Sequence, residues 1–318
     1  MIIFRSLAEI DKNIEKTAVA LGNFDGVHKG HQALIEKAVS VAKEKGIKSA
    51  VFTFTNHPRN VMSGRSIVKN ILYEEDKFKV LEEMGIDYLF TLDFDEMIMK
   101  QSPESFVDDI LINAFNIDTA ICGFNFTYGH KAGGTAETLK ADGLVKNFSV
   151  HVMNPVTVND QVVSSTLIRG SIEAGHVDEA AEFLGRPYTV KGEVLHGNQL
   201  GRTMGFPTCN ILMDEGMVAP ANGVYVTRCM VDGVWYPGVT NVGHKPTIGH
   251  YEKNVETNIL DFDQMIYGKT VCVEFFEKIR DEKKFSSLDE LKDEIGRNKE
   301  YARNFHEKMK IISVDTDI

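Results

Sequence analysis

The sequence predicts an α/β fold in its first half and an antiparallel β fold in its second half. Between residues 17 and 122, short apolar runs alternate with stretches at helical spacing, which is typical of a parallel sheet flanked by helices. Beyond residue 186, short β-rich runs follow one another with turn residues between them, which favours a sandwich or a barrel. The length of 318 residues fits two domains. We therefore predict a first domain over 1–185 and a second over 186–318.

The first half is predicted to repeat the order strand, helix, strand. The apolar runs predict strands at residues 17–21, 49–54, 88–92 and 119–122. The periodic stretches predict helices at 30–45 and 74–84, and a third that Pro103 opens. Gly46 and Gly85 stand where the first two helices should end, because glycine readily takes the left-handed conformation of a helix terminus.

The second half begins with two helices, at 167–173 and 177–184, before its composition changes. The β-rich runs that follow lie at residues 188–195, 223–231, 234–239, 255–262 and 270–279. Asp232-Gly233, Pro237-Gly238 and residues 241–243 are interpreted as the turns between them. A final helix is predicted from Ser287 to Met309, with Ser287 as its N-cap and Glu290 completing a capping box.

Composition and charge exclude several classes of protein. Hydrophobic residues make up 43% and charged residues 25%, as in an ordinary globular chain. The net charge of −11 disfavours binding to nucleic acid or to an anionic membrane. No run of 18 apolar residues and no signal-peptide pattern is found, and the four cysteines are widely spaced. We expect a cytoplasmic protein with buried, reduced thiols and no structural zinc.

The densest motif of the first half is residues 21–31, between the first strand and the first helix. Its glycines let the backbone turn and approach a ligand closely. His28 and His31 stand one helical turn apart at the helix N-terminus, where free N–H groups favour anions. Two imidazoles there can hydrogen-bond a phosphate. A glycine-rich turn with two surface histidines, or a metal-binding pair, would give the same spacing.

The densest motif of the second half is residues 197–210. Gly197, Gly201 and Gly205 recur at intervals of four, which suits a loop that closes on a ligand. Thr208 and Asn210 are two apart on the following strand, so both side chains point to one face. Their oxygens suit Mg²⁺ that also binds nucleotide phosphates. A hairpin with a glycine-rich turn is the structural alternative.

Glu256 is a candidate base on a predicted strand. Alternation places Glu256, Asn258 and Leu260 on one face, where a carboxylate at a barrel mouth can take a proton from a hydroxyl. An exposed structural glutamate is the alternative.

Two other nucleotide-binding motifs are absent: no G-x-G-x-x-G follows the first strand, and the Gly-Lys-Thr at 268–270 lacks the first glycine of a P-loop.

The first-half motifs resemble those of a known family. Residues 22–31, Gly-Asn-Phe-Asp-Gly-Val-His-Lys-Gly-His, are similar to the H-x-G-H signature of nucleotidyltransferases in the form found in bacterial FMN adenylyltransferases. Residues 123–129, with Gly133 and Gly134, resemble that family's glycine-flanked loop. The segment 164–169, Ser-Ser-Thr-Leu-Ile-Arg, resembles its S-S-T-x-I-R segment, whose arginine is a bidentate donor suited to phosphate.

The second-half motifs resemble riboflavin kinases. The matching segments are 197–210, 223–225, 241–243 with Pro246 and Thr247, and 255–257 ahead of Leu-Asp-Phe at 260–262. Together the two halves follow the order of the bifunctional bacterial riboflavin kinases/FAD synthetases over almost the whole chain. Asn56, Asn258 and Asn298 depart from the residues that are commoner in the family.

The resemblance implies a Rossmann-like α/β/α nucleotidyltransferase domain followed by a riboflavin-kinase β-barrel with a C-terminal helix. It also implies two reactions: ATP phosphorylates riboflavin to FMN in the second domain, and FMN is adenylylated to FAD with release of pyrophosphate in the first. The implied substrates are riboflavin, FMN and ATP with Mg²⁺. Flavin-dependent apoproteins are the implied recipients of the products.

The resemblance also implies the roles of individual residues. The implied catalytic residues are Glu256, His28, His31 and Arg169. The residues implied to bind ATP and phosphate are Gly22, Asn23, Phe24, Asp25, Gly26, Asn125, Ser164, Ser165, Thr166, Gly197, Gly201, Arg202 and Gly205. The implied flavin-binding residues are His57, Pro58 and Asn241, and the implied metal ligands are Thr208 and Asn210.

Two other functions remain open from the sequence. The chain could be a flavin- or nucleotide-responsive module with one or both sites inactive. Because H-x-G-H occurs in several cofactor syntheses, it could also transfer adenylyl groups to another acceptor, such as a pantetheine or nicotinate phosphate.

Overall fold

The computed structural model describes residues 1–195, 208–247 and 250–315. The chain divides into two compact units, Met1–Ser165 and Thr166–Ile318. This division falls earlier than the predicted boundary, because the two helices before residue 186 group with the second unit. The assignment of one reaction to 1–185 and the other to 186–318 stays a prediction.

The first unit is built on a six-stranded parallel sheet. Its strands are β1 (Ile2–Phe4), β2 (Thr17–Leu21), β3 (Lys48–Phe54), β4 (Tyr88–Leu92), β5 (Ile117–Gly123) and β8 (Ser149–Met153). Two short hairpins pair β6 (Thr127–Tyr128) with β7 (Gly134–Thr135) and β9 (Thr157–Val158) with β10 (Gln161–Val162). The four predicted strands are confirmed, whereas β1 and β8 at the sheet edges were not predicted.

The strand order of this sheet is β1-β4-β3-β2-β5-β8. From β2 the chain builds outward through β3 and β4 and then returns to add β5 and β8 on the other side of β2. The loops that leave β2 and β5 therefore begin at neighbouring strand ends where the direction of winding reverses. Ligands bind at such a switch point in open α/β sheets.

The helices of the first unit are α1 (Lys29–Lys45), α2 (Pro58–Ser63), α3 (Glu74–Glu83), α4 (Glu96–Lys100), α5 (Pro103–Ser105) and α6 (Ala136–Lys146). The predicted face of α1 is confirmed, because Leu34, Ile35 and Val41 are buried. Gly46 ends α1 in the left-handed conformation with φ 66°. The helix that Pro103 opens continues from Phe106 to Ala114 with π-helical hydrogen bonding, which its periodicity did not reveal.

Both faces of the parallel sheet are buried, in two separate clusters. Val19 and Leu21 of β2 pack on one side with Phe52 and Phe115. Ala18 and Ala20 of the same strand pack on the other side with α1. Since successive side chains of a strand point to opposite faces, the run Thr17–Leu21 is buried throughout, and it is apolar from Ala18 to Leu21. The polar chemistry of this unit is therefore confined to the ends of the strands.

The second unit contains a six-stranded antiparallel sheet that is nearly closed into a barrel. Its strands, in the spatial order β11-β16-β13-β14-β15-β12, are β11 (Tyr188–Glu193), β12 (Cys209–Leu212), β13 (Gly223–Val231), β14 (Val234–Thr247), β15 (His250–Ile259) and β16 (Thr270–Arg280). An isolated bridge brings the two ends together: the Leu195 N–H donates to the Asn210 carbonyl at 2.9 Å.

The predicted turns at Pro237-Gly238 and at residues 241–243 are wrong, because β14 runs through both. The Pro237 carbonyl accepts a hydrogen bond from the Leu260 N–H (2.8 Å), one residue past the end of β15. The N–H and C=O of one residue point to the same neighbouring strand, so an N–H at Pro237 would point toward β15. Its absence therefore removes no hydrogen bond between β14 and β13. The turn at Asp232-Gly233 is confirmed, and both residues have positive φ as a tight hairpin requires.

The described part of the second unit also contains three helices: α7 (Ser165–Ala174), α8 (Val177–Leu184) and α9 (Leu288–Asp315). Ala302 of α9 packs with Val226 and Val239, which places this helix against the outer face of β13 and β14. Ser287 caps α9 as predicted, since its hydroxyl accepts the Glu290 N–H at 3.1 Å. A capping box also requires the Glu290 carboxylate to accept the N–H of the N-cap, Ser287. Here the carboxylate accepts the N–H and the hydroxyl of Ser286 instead, so the predicted capping box is only half formed.

Two further observations concern the surface and the thiols. Within the described ranges, no helix has the length and apolarity needed to cross a membrane. Cys122, Cys209, Cys229 and Cys272 are all buried with free thiols.

We expect Gly129→Ala to lower the free energy of unfolding of the first unit by at least about 3 kcal/mol. Gly129 has φ 71°, and an added Cβ would lie 2.6 Å from the Pro103 backbone nitrogen. Gly64→Ala is the matched control, because Gly64 has φ 63° but an added Cβ would meet nothing within 4 Å. The control should lose only about 1 kcal/mol. Urea unfolding followed by circular dichroism measures both, and equal losses would contradict the steric argument.

Candidate functional sites

The loop between β2 and α1 has an unusual backbone. Phe24 (φ 48°) and Val27 (φ 38°) join Gly26 (φ 80°) in the left-handed region, where a β-branched residue such as valine is strained. Phe24 and Val27 are fully buried, and Gln32 donates from its amide to the Val27 carbonyl at 2.8 Å. Burial and hydrogen bonding therefore hold the predicted phosphate loop in one conformation.

His28 and His31 lie together at the N-terminus of α1, as predicted. His28 is the N-cap, and its Nδ1 accepts the His31 N–H at 3.2 Å. The two rings stack with their centroids 3.6 Å apart and an interplanar angle of 15°. Because Nδ1 of His28 accepts, a neutral His28 carries its ring proton on Nε2. This arrangement adds imidazole donors to the N–H groups at the helix start.

Burial holds the pKa of His31 well below its usual value of 6.5, and the nearby His28 and Lys77 lower it further. His31 is therefore neutral at pH 7 in the unliganded chain. Its Nδ1 is buried and has no hydrogen-bond partner in the part of the chain that the structure describes. A buried polar atom without a partner is costly, and an incoming polar ligand would satisfy it.

A small pocket that is open to solvent lies beside this loop. It is lined by Asn23, Asp25, Phe54, Thr55, Asn56, His57, Asn70, Leu72, Glu74 and Lys77. The structure thus brings the predicted phosphate residues Asn23 and Asp25 together with the predicted flavin residue His57. Pro58 begins α2 directly after His57 and is not among the lining residues.

Sequence reasoning missed most of the far wall of this pocket. Asn70, Leu72, Glu74 and Lys77 belong to the start of α3 and the segment before it. The Ile71 N–H donates to the Asp25 carboxylate at 2.9 Å, which ties this segment to the glycine-rich loop. Asn56 exchanges two hydrogen bonds with the backbone of Phe94, at 2.8 and 3.3 Å. Asn56, which differs from the residue commoner in the family, thus links the end of β3 to the end of β4.

The remaining first-half candidates lie at the ends of the same strands. Gly22 follows β2, and its N–H donates to the Phe52 carbonyl at 3.2 Å. Asn125 follows the neighbouring strand β5 in an exposed turn. The Ser165 hydroxyl donates to the Asp25 carbonyl at 2.9 Å, which brings the segment of Ser164 and Ser165 to the glycine-rich loop. Thr166 and Arg169 lie on α7 and are grouped with the second unit.

Glu256 forms the centre of the second candidate site. The Thr208 hydroxyl donates to Oε1 of Glu256 at 2.6 Å. Asn210 of β12 and Asn241 of β14 both stand directly opposite Glu256 in the β15 register, so these side chains share one face of the sheet. Strand pairing therefore assembles Thr208, Asn210, Asn241 and Glu256 from three separate stretches of sequence.

Asn210 is buried, and its Oδ1 accepts a hydrogen bond from the Asn254 amide at 3.2 Å. The face that carries Glu256 is the outer face of the barrel. Leu260 lies one residue beyond β15 and packs with Val239 under α9 on this face. Gly197, Gly201, Arg202 and Gly205 lie outside the described residues.

A row of buried hydroxyls lies on the opposite, inner face of the same strands. The Thr240 hydroxyl bonds both the Thr227 hydroxyl and the Thr257 hydroxyl, each at 2.8 Å. All three side chains are fully buried. A hydrogen bond between the thiols lowers the pKa of Cys209 and raises that of Cys229. Thr240, Thr257 and Cys209 are chain neighbours of Asn241, Glu256 and Asn210, so the inner row holds the strands that carry the outer site.

The fold and the two sites define a class: a nucleotidyltransferase-like α/β unit joined to a kinase barrel. The family model described as FAD synthetase matches residues 10–167, and the one described as riboflavin kinase matches residues 184–306. The chain therefore belongs to the family of bifunctional riboflavin kinases/FMN adenylyltransferases.

Relatives that carry this name match nearly end to end. The Bacillus subtilis protein is 38% identical over 301 residues, covering 93% of this chain and 94% of the relative. The Listeria monocytogenes protein is 37% identical, covering 92% and 93%. The Haemophilus influenzae protein is 35% identical, covering 96% and 99%.

A solved structure also matches nearly end to end. A crystal structure from Streptococcus pneumoniae, described as a macrolide-efflux protein, superposes with a TM-score of 0.87 and 34% identity, covering 95% of this chain and 98% of that one. That description applies to the pneumococcal protein alone.

We expect Thr240→Val to lower the free energy of unfolding of the second unit by about 1–3 kcal/mol, because two buried hydroxyls lose a partner. The single tryptophan, Trp235 on β14, reports this unit by fluorescence during urea unfolding. Thr240→Ser keeps the hydroxyl and should recover much of the loss. Thr270→Val, at an exposed strand position, is the control. A Thr240→Val variant as stable as this control would show that the inner row contributes nothing.

Proposed function

We propose that the second unit phosphorylates riboflavin to FMN and that the first unit adenylylates FMN to FAD. The observation that carries this proposal is that each unit has its own set of reactive side chains, His28 with His31 in one and Thr208 with Glu256 in the other. The match to the two family models supports the same division.

In the kinase reaction, the 5′-hydroxyl oxygen of riboflavin attacks the γ-phosphorus of ATP, and ADP leaves. Glu256 accepts the hydroxyl proton, and the hydrogen bond from Thr208 fixes the orientation of its carboxylate. Asn241 stands opposite Glu256 on the same face and orients the flavin. Alignment accounts for most of such catalysis, because phosphoryl transfer needs little covalent help.

Thr208 and Asn210 are proposed to hold Mg²⁺ with the phosphates of ATP. The donor set fits this ion, since a hydroxyl and an amide oxygen are hard ligands on one face, beside the Glu256 carboxylate. No group of three or more metal-ligating His, Cys, Asp or Glu side chains occurs within the described ranges. Such a sparse set suits an ion that keeps waters and substrate phosphates as its other ligands. When bound, the ion neutralises charge on the transferring phosphoryl group.

In the adenylyl transfer, a phosphate oxygen of FMN attacks the α-phosphorus of a second ATP, and pyrophosphate leaves. His28 and His31 donate hydrogen bonds to the phosphate oxygens, together with the N–H groups at the start of α1. Arg169 is proposed to add a fixed cation, and Asn125 and residues 164–166 to contact ATP. His57 and Pro58 are proposed to border the flavin.

We further propose that the protein works in the cytoplasm and supplies FMN and FAD to flavin-dependent apoproteins. Four buried free thiols suit a reducing compartment.

Variants of the two sites should separate the two reactions. Glu256→Gln removes the proton acceptor and should lower the rate of riboflavin phosphorylation by at least about 100-fold while FMN adenylylation survives. His31→Ala should do the reverse, so that FMN accumulates. A chromatographic time course of riboflavin, FMN and FAD with ATP and Mg²⁺ measures both steps. If either change abolished both reactions in a folded chain, the two-site proposal would be wrong.

The wild-type time course also separates the alternatives. FMN that rises before FAD supports both steps in the proposed order. FMN that never becomes FAD, with turnover of a pantetheine or nicotinate phosphate instead, would assign another acceptor to the first unit. Saturable flavin binding without any conversion would indicate a sensor.

Binding of ATP to the first unit should be accompanied by proton uptake, because an anion beside His31 raises the pKa that burial has lowered. The expected sign is uptake, since a higher pKa increases the protonated fraction of the ring at a given pH. Isothermal titration in two buffers of different ionisation enthalpy measures the uptake. His31→Gln is the matched control for ATP bound at the kinase site. Equal uptake by both chains would contradict the proposed contact.

A further inference from the structure

Lys77 is a buried cation that the proposed mechanism does not use. It lies on the first turns of α3 and is 8% exposed, and among the described residues it is the one buried lysine. Burial lowers its pKa, while Asp25 and Glu74 oppose that shift. No salt bridge or side-chain hydrogen bond joins its ammonium group to another described residue. Burial of a charge is costly, and here the nearby charges of Asp25 and Glu74 offset only part of that cost, since the pKa of Lys77 stays lowered.

Lys77 is one of the residues that line the pocket beside the glycine-rich loop. Lys77 lines the pocket together with Asp25, Glu74 and His57. It also lies close enough to His31 to lower the pKa of that histidine. Lys77 therefore lines the pocket and also lies within electrostatic range of His31 at the start of α1.

The charges of the pocket explain why a cation is needed there. Asp25 and Glu74 are the two carboxylates of the lining, and Lys77 is its one lysine or arginine. Without Lys77, the lining would present two carboxylates and no lysine or arginine to a phosphate that entered. The rest of the lining combines apolar Phe54 and Leu72 with amides and a hydroxyl. Such a wall suits a flat heterocycle with polar edges.

We infer that Lys77 binds the phosphate group of FMN during adenylyl transfer, an inference that rests on the proposed function of the first unit. The ammonium ion donates to the phosphate oxygens and offsets the charge of Asp25 and Glu74. It thereby holds the attacking phosphate next to the stacked histidines, which bind the phosphates of ATP. The phosphate supplies a hydrogen-bonded anionic partner, which Lys77 does not have among the described residues.

Steady-state kinetics of the full chain test this role. Lys77→Met keeps the length of the side chain and removes its charge, so kcat/KM for FMN in FAD formation should fall by at least about 100-fold. Lys77→Arg should retain part of the activity. Lys79→Met, at an exposed position of the same helix, should behave as wild type. Circular dichroism during urea unfolding reports whether the first unit of each variant is folded. Riboflavin phosphorylation, a reaction of the second unit, should change by less than about twofold.

Chemical rescue distinguishes direct contact from a structural role. Lys77→Ala leaves room at the pocket wall, and added ethylammonium or propylammonium should restore FAD formation. A folded Lys77→Ala chain that no amine restores would overturn the inference. So would a Lys77→Met variant with kcat/KM for FMN within about threefold of wild type, or one in which only the KM for ATP rises.

Failure of the inference and failure of the proposed function give different results. A wild-type chain that forms no FAD from FMN and ATP refutes the function of the first unit, and the role of Lys77 falls with it. A wild-type chain that forms FAD, with Lys77→Met equally active, refutes the role of Lys77 alone.

Discussion

Both sites depend on how the strands of each unit are buried. In the first unit the parallel strands are buried on both faces, so no strand face is available for polar chemistry. The reactive groups lie instead in the loops at the carboxyl ends of β2, β3 and β5. In the second unit each antiparallel strand has an inner face in the barrel and an outer face, and the outer face carries Glu256 with its neighbours. The same rule of burial thus puts one site in loops and the other on a strand face.

The two sites also differ in how they are kept in position. The loop before α1 holds Phe24 and Val27 in left-handed conformations, and the burial of both side chains balances that strain. Around Glu256 the backbone is a regular ladder, and the buried hydroxyls of Thr227, Thr240 and Thr257 cross-link the strands from inside. Strain at a functional loop must be offset elsewhere in the fold, whereas a ladder positions its side chains by register alone.

Electrostatics prepares the first site for anions before any ligand binds. Among the described residues, His31 carries a buried nitrogen without a hydrogen-bond partner, and Lys77 is a buried cation whose ammonium group forms no ion pair. A buried polar atom without a partner costs stability, and a bound phosphate is proposed to contact both side chains. Asp25 contributes differently, because its carboxylate accepts the Ile71 N–H and fastens the segment before α3 to the loop. The site therefore combines a carboxylate with a structural role, that of Asp25, with the side chains of His31 and Lys77, which are proposed to bind the substrate.

The sequence by itself determined the order of the elements, the α/β-then-β architecture and the two dense motifs. These follow from local patterns: hydrophobic periodicity, glycines at turns, and His28 and His31 one helical turn apart. Only the tertiary structure decided that Pro237 lies inside a strand and that Asn241 and Asn210 stand opposite Glu256. It alone brought Lys77 and Asn70 to the pocket with Asp25. These relations join residues far apart in the chain, and strand register and burial, which no local pattern records, set the distances between them.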